Sequence, residues 1–240
     1  MMTWDRQFGD ALIDWSVPSR PKDAPLSGRY VCLEPLNADR HAKALYACYA
    51  EQDEVWDYLP YGPFATYSEY HSWVADVAGA ADPFFFAVRN LKNESYEGVL
   101  SFLRITPESG SIEVGHINFS PRLQGTPPAT EALYLTLAWA FSAGYRRFEW
   151  KCDALNLASR RAAQRLGLSY EGVFRQATIY KNRNRDTAWF AGIDAEWPAL
   201  QRAYETWLDP VNFDQEGRQV QRLSELTRPI LVARDPALER

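Results

Sequence analysis

Residues 129–144, ATEALYLTLAWAFSAG, narrow the folds open to this chain more than any other segment. Apolar side chains surround this helical pattern on nearly every side, and only Thr130, Glu131, Thr136 and Ser142 interrupt them. Such a helix must be covered on several faces, so it cannot lie alone on the outside of a domain. Before it come an alternating strand pattern, SIEVGHINFSP (111–121), and a short turn with one glycine; after it comes a second strand pattern, RRFEWKCDA (146–154). Strand, buried helix and strand together call for an α/β layer.

The rest of the chain supplies partners for that layer. RYVCLEPL (29–36) alternates with period two, and ADRHAKALYACYAE (38–51) shifts to helical spacing. TYSEYHSWVADVAGA (66–80) reads as a second helix, and PFFFAVRN (83–90), YEGVLSFLRITP (96–107) and SIEVGHINFSP read as consecutive strands joined by turn residues, hence antiparallel meanders. NLASRRAAQRLG (156–167) reads as a helix with Asn156 as N-cap and Gly167 at the left-handed C-terminal position. YEGVFRQATIY (170–180) and DTAWFAGIDAEW (186–197) form a hairpin around KNRNR, and 195–208 continues helically. The fold class is therefore α/β in the α+β sense, with a mixed sheet. Residues 1–27, with Trp4, Phe8, Trp15, Pro18, Pro21 and Pro25, read as an irregular arm packed by its rings. Residues 28–208 are the domain, and 209–240 a charged tail without periodicity.

Composition excludes several classes. With 46% hydrophobic residues over 240, the chain builds a real core and is not disordered. Twenty-six basic against 31 acidic side chains leave a net charge of −5, so no basic field draws nucleic acid. No stretch approaches the roughly 18 apolar residues of a membrane span, and no signal-peptide pattern is present. Cys32, Cys48 and Cys152 show neither a disulfide framework nor a zinc spacing, which points to a cytoplasmic protein without a metal. The unusual figure is 14% aromatic residues, more than one core normally needs.

The segment with chemical content is the turn before the buried helix, Arg122-Leu123-Gln124-Gly125-Thr126-Pro127-Pro128-Ala129-Thr130. The free amides and positive dipole end of a helix N-terminus hold a phosphate without many lysines. This turn resembles the acyl-CoA pyrophosphate loop of the GNAT N-acetyltransferase superfamily, in which Gln or Arg, two residues, Gly, one residue and a small residue follow in order. Arg122 and Gly125 match, whereas Pro127 stands at the last small position and removes one donor. Ile112-Glu113-Val114-Gly115 is similar to the family's central strand, Trp150-Lys151-Cys152-Asp153 to a later one, and Asn156-Leu157-Ala158-Ser159 with Gly167-Leu168 to its Asn-x-x-Ser helix. These features follow in the family's order over residues 28–200 and most resemble the RimJ/RimL-like branch.

The resemblance implies the GNAT fold: mainly antiparallel N-terminal strands, helices on both faces, and a splayed centre that binds acyl-CoA. It also implies acetyl-CoA as co-substrate and a primary amine as acceptor, either a protein N-terminus or a small molecule, handled by a monomer or homodimer. Ile117, Asn118 and Phe119 fall where the family polarises the donor carbonyl; Arg122, Leu123, Gln124, Gly125, Thr126, Ala129 and Thr130 fall on the pyrophosphate loop, and Asn156 and Ser159 beside pantetheine and sulfur. Glu113 is the candidate base, although its strand position equally suits an ion pair. Ser159 is the candidate acid, because the family's usual tyrosine position holds Ala163; Tyr180 is a second acid candidate. Trp56, Tyr58, Tyr61, Phe64 and His116 are the acceptor-site candidates, with a hydrophobic patch as their other reading. Arg183 and Arg185 could meet an acidic substrate, or could simply furnish an exposed hairpin turn. A catalytically silent acyl-CoA-binding module and a succinyl-CoA-type transferase remain the alternatives.

Overall fold

The computed structural model describes residues 8–239. Alternation in the sequence resolves into one eight-stranded sheet in the order β1-β2-β3-β4-β5-β6-β8-β7. The strands are β1 (Leu26–Ser27), β2 (Val31–Pro35), β3 (Phe84–Asn90), β4 (Ser95–Thr106), β5 (Ser111–Phe119), β6 (Arg147–Asp153), β7 (Ser169–Tyr180) and β8 (Arg183–Ile193). All pairings are antiparallel except β5 with β6. That pair follows from the buried helix, since a crossover helix returns the chain parallel to the strand it left.

Each face of the sheet takes its own helices. The crossover helix α3 (Pro127–Ser142) covers one face together with α4 (Leu157–Arg165) and α5 (Trp197–Leu208), around a core that includes Val31, Phe102, Ile112, Val114 and Phe148. Tyr134 of α3 stacks on Tyr204 of α5, and Phe141 on Trp197 at the start of α5, so both sides of the all-apolar helix are covered. On the other face α1 (Ala38–Cys48) and α2 (Tyr67–Val77) build a second core around Leu45, Trp56, Tyr70, Val74 and Phe85. Asn37 caps α1, and Thr66 with Glu69 forms a reciprocal capping box on α2.

Glu131, the one charge inside the apolar helix, has a structural use. Its buried carboxylate accepts backbone N–H bonds from Arg29, Tyr30 and Val31 at 2.8, 2.5 and 2.9 Å, pinning the β1–β2 turn to α3. Gly28 is needed at that turn, because an added Cβ would lie 2.4 Å from the Glu131 carboxyl carbon.

Both ends of the chain depart from expectation. The sheet begins at Leu26, two residues before the expected domain start, because Leu26 and Ser27 pair with Leu33 and Cys32. Of the arm's rings, Trp4 lies outside the described residues and Phe8 is exposed, while the Trp15 indole donates to the Gly144 carbonyl and lies close to Gly110. Gly110 precedes β5, so Trp15 docks at the end of that strand where its pairing with β6 begins. Residues 209–239 fold onto the helices, although their charge suggested a separate tail. Helix α6 (Leu223–Thr227) buries Leu223 and Thr227, and the fully buried Asp235 pairs bidentately with Arg160 of α4 at 2.6 Å to each nitrogen. No helix among the described residues is long and apolar enough to cross a membrane.

Removing one partner of a buried pair leaves the other charge uncompensated, which costs about 3–5 kcal/mol. Asp235→Ala should therefore lower the unfolding free energy by that much, moving the urea midpoint down by this amount divided by an unchanged m value, and a wild-type midpoint would show that the C-terminal segment does not support α4.

Candidate active site

The site begins where the parallel pair ends. β5 and β6 pair only from Ser111 with Arg147 to Val114 with Trp150, and Lys151–Asp153 then pair with β8 alone. From Gly115 to Phe119, β5 has no strand neighbour on its β6 side. A bulge bends β5 at the same place: the register shifts between Val99 and Ser101 of β4, and His116 takes a left-handed φ of 50°. The sequence showed a plain strand here; only the Gly115-His116 dipeptide, with a residue type tolerant of that region, hints at the bulge.

Alternation sorts the side chains around the gap. Val114, Trp150, Cys152, Ala188 and Phe190 belong to the α3 core, so Glu113, Lys151 and Trp189 point to the α1/α2 face. Lys151 Nζ sits 3.9 Å from the Trp189 ring centre, 2.8 Å from Glu113 Oε2 and 2.7 Å from Glu149 Oε2. Arg104 holds Glu113 Oε1 at 2.6 Å. Burial holds the Glu113 carboxyl above the usual range despite both cations. For Glu149 burial acts the same way, but the hydrogen bonds of Lys151 and Arg147 outweigh it and pull the group down. This corrects the expectation for Glu113: both its oxygens are engaged by cations at 2% exposure, so the ion-pair reading fits and an open base does not.

His116 does face the gap. Its ring stacks on Tyr61 at 5.6 Å, and its Nδ1 lies 2.9 Å from the Tyr61 hydroxyl. Burial, then the charges of Arg104 and Arg185, lowers its pKa to about 4. The other expected acceptor residues divide. Trp56 is 3% exposed and wedged among Tyr49, Tyr61, Phe64 and Tyr70, so it anchors the ring cluster, and with Tyr49 and Phe64 it forms part of a pocket wall. Phe64 packs against Trp73 within that cluster, whereas Tyr58 is exposed. Lys181, at the tip of the β7–β8 hairpin, donates to the Trp56 carbonyl at 2.8 Å, tying the hairpin across to the α1–α2 connection.

On the α3 side, Asn156 caps α4 by accepting from the Ser159 amide at 3.0 Å. The Ser159 hydroxyl accepts the Trp150 indole N–H at 3.0 Å and also interacts with the Cys152 side chain, whose thiol burial nonetheless pushes up. Tyr180 is placed otherwise. Its hydroxyl donates to Asp153 at 2.9 Å, and burial followed by that bond pushes its pKa up to about 12, so its proton is committed.

The turn before α3 partly fits a diphosphate. The amides of Leu123 and Gln124 donate to the Ser120 carbonyl, that of Thr126 to the Leu123 carbonyl, and that of Ala129 to the Thr126 hydroxyl, which caps the helix. Proline at 127 and 128 supplies no N–H. The Arg122 and Gly125 amides have no partner among the described residues; both residues are exposed, and Gly125 takes a φ of 72° with open space around it. The Leu123 side chain is fully buried in the core, Ala129 is buried, and the Thr130 hydroxyl accepts from Arg165 at 3.2 Å, so these three shape the turn instead of presenting side chains. The Gln124 side chain donates to the Phe119 carbonyl at 2.8 Å. Ile117 packs on the α3 core, while the buried Asn118 amide has partners for neither its nitrogen nor its oxygen. Among the described residues no group of three or more metal-ligating side chains comes together.

The acetyltransferase (GNAT) domain family model matches residues 31–169. A GCN5-related N-acetyltransferase from Brucella melitensis is 42% identical, with a TM-score of 0.88 over 90% of this chain and 100% of that one. A probable GNAT-family acetyltransferase from Chromobacterium violaceum is 40% identical, with a TM-score of 0.77 over 81% and 98%. RimL, a ribosomal L7/L12 α-N-protein acetyltransferase, shares the fold at 21% identity and a TM-score of 0.61 over 71% and 94%. No match was found among curated proteins.

The depressed pKa of His116 sets a pH dependence. Below about 6.5 the unfolded chain takes a proton that the folded chain refuses until about 4, so stability falls with pH through that window, by about 1.4 kcal/mol per unit of pKa displacement. Buried His41 is shifted in the same direction. His116→Phe should flatten the fall of melting temperature between pH 6.5 and 4 without abolishing it, and an unchanged slope would mean that His116 is solvated.

Proposed function

Because the chain belongs to the GNAT acetyltransferase family, we propose that it transfers an acetyl group from acetyl-CoA to a primary amine by direct attack. The observation that carries this reading is the parting of β5 and β6 beside the Ser159 hydroxyl, which the Trp150 indole N–H holds in place. Acetyl-CoA would bring an activated thioester, and the residues of this chain would bind it, orient it and manage protons. The Arg122 side chain and the Arg122 and Gly125 amides would meet the diphosphate, aided by the N-terminal dipole of α3. Two prolines where other donors could stand leave fewer amides for this task, so Arg122 carries a larger share. Asn156 would orient the pantetheine arm. The stretch Ile117–Phe119, paired with β4 but open on its β6 side, would offer backbone donors toward charge developing on the carbonyl oxygen, a role that needs fixed dipoles and no titrating group.

Ser159 would give its proton to the departing sulfur, and the indole N–H of Trp150 holds the hydroxyl in place for that transfer. The acceptor proton poses a separate question. Glu113 is ion-paired and His116 is a weak base, so no strong base faces the gap. That arrangement suits an amine already partly neutral near pH 7.5: an α-amine, with a pKa of about 7.7–8.0, loses its proton to water readily, whereas a lysine near 10.4 does not. The ring cluster of Tyr61, Phe64 and His116 would flank this amine. The acceptor is thus proposed to be an α-amine, of a peptide or a small aminoacyl compound, handled in the cytoplasm.

Ser159→Ala should lower kcat by about 10²-fold with an unchanged acetyl-CoA KM. Arg122→Ala should instead raise that KM roughly tenfold, about 1.4 kcal/mol, at similar kcat. Wild-type protein that shows no acetyl-CoA thermal shift, and releases no CoA thiol with α-amine acceptors, would refute the proposal. A shift without turnover would favour a binding module.

A further inference from the structure

The hairpin arginine that the sequence left between two readings lies on the acceptor face of the gap. Arg185, Thr187 and Trp189 alternate along β8 on the side opposite Ala188 and Phe190 of the α3 core, so the Arg185 side chain leaves the sheet on the face that carries Lys151 and Glu113. Its guanidinium lies 5.7 Å from the Tyr180 ring, and its charge acts on His116 across the gap. Arg183, by contrast, is exposed at the hairpin tip.

What sets Arg185 apart is its missing partner. Neighbouring cations of this face are matched, Arg104 by Glu113, Lys151 by Glu113 and Glu149, and Arg147 by Glu149 and Glu171. Arg185 makes no salt bridge among the described residues, and its buried Nε has no hydrogen-bond acceptor. The one carboxylate in strand register with Thr187, Asp153, already holds the Tyr180 hydroxyl and the Leu155 amide. Trp189, on the same face, also has a buried N–H without a partner. A buried donor without an acceptor leaves its desolvation cost unrecovered, more so when it belongs to a charged group, so the unmet Nε of the half-buried Arg185 calls for a partner that a ligand anion would supply. Guanidinium recognises carboxylate and phosphate through paired N–H bonds.

Resting on the acetyltransferase reading above, we propose that Arg185 is a specificity residue that selects an acceptor amine carrying an anionic oxygen group, carboxylate or phosphate, a few bonds from the reacting nitrogen. Steady-state transfer is measured on three amidated tripeptides, Ala-Glu-Ala, Ala-phosphoserine-Ala and Ala-Gln-Ala, with wild-type protein and the variants Arg185→Gln and Arg185→Lys. At least one acidic peptide should exceed the neutral one by about tenfold or more in kcat/KM; the ratio should collapse toward one in Arg185→Gln and recover in part in Arg185→Lys. The two acidic peptides separate carboxylate from phosphate recognition. An equal rate on all three peptides would overturn the proposal, as would a ratio unchanged in Arg185→Gln, or loss of the acetyl-CoA thermal shift in that variant, which would assign the arginine to the co-substrate. If none of the peptides is acetylated, calorimetric titration decides instead: tighter binding of an acidic peptide to wild type, lost in Arg185→Gln, supports the assignment, and equal binding refutes it even where acetyl-CoA binds normally.

Discussion

Two carboxylates directly opposite each other on neighbouring strands repel, and the site of this protein is built around the way that repulsion is relieved. Glu113 of β5 and Glu149 of β6 are register partners in the single parallel pairing of the sheet. Lys151 lies between them, within 2.8 Å of one and 2.7 Å of the other, with Arg104 and Arg147 holding the outer oxygens. The pairing ends one residue beyond the two glutamates. Past it, the His116 bulge bends β5 toward β4, while β6 stays with β8. The charge cluster therefore acts as the stop of a zipper: it closes the parallel pair to Val114 and fixes where the opening begins.

That opening has two unlike faces. On the α3 side a helix start, a serine hydroxyl and an indole N–H meet, and Arg160, the residue after Ser159, is clamped by Asp235 from near the C-terminus. The C-terminal segment is thus part of what holds α4 in place. On the α1/α2 side aromatic rings and arginines meet. Lys181 bridges that side through the Trp56 carbonyl, joining the connection between α1 and α2 to the hairpin between β7 and β8.

Local pattern in the sequence carried most of the architecture. Period-two and period-3.6 segments gave most strands and helices with ends close to those observed, except that β8 starts at Arg183 inside the expected KNRNR turn and ends at Ile193, and Asn156 and Gly167 mark the ends of α4 as capping chemistry requires. The buried helix announced the crossover, hence the parallel pair. Non-local contacts were not legible. Nothing near Glu113 in the chain points to Lys151, which lies 38 residues on and meets it only through strand register. Nothing in the charged C-terminal stretch points to Arg160, because a buried ion pair has the composition of a solvated surface. The Trp150 bond to Ser159 escaped for the same reason: it joins a strand to a helix that only the completed fold brings together.

The aromatic surplus also takes on a definite meaning through geometry. A ring-rich composition fits both a thick core and a binding wall, and the structure divides the rings between these uses by depth. Trp56, Tyr49 and Tyr70 are buried, and their loss would cost packing. Tyr61 alone among the expected acceptor rings touches both worlds, stacked on His116 at the gap and packed on Trp73 beneath. Its hydroxyl, raised further above its ordinary pKa by burial, stays a neutral partner for a neutral imidazole. A cleft walled by uncharged rings, with its acids neutralised in ion pairs and one arginine left unmatched, has little with which to attract a cationic amine electrostatically. On the proposed reading, acceptor binding would draw on the rings and on the anion that pairs with Arg185, so acceptor choice would turn on what the amine is attached to more than on the amine itself.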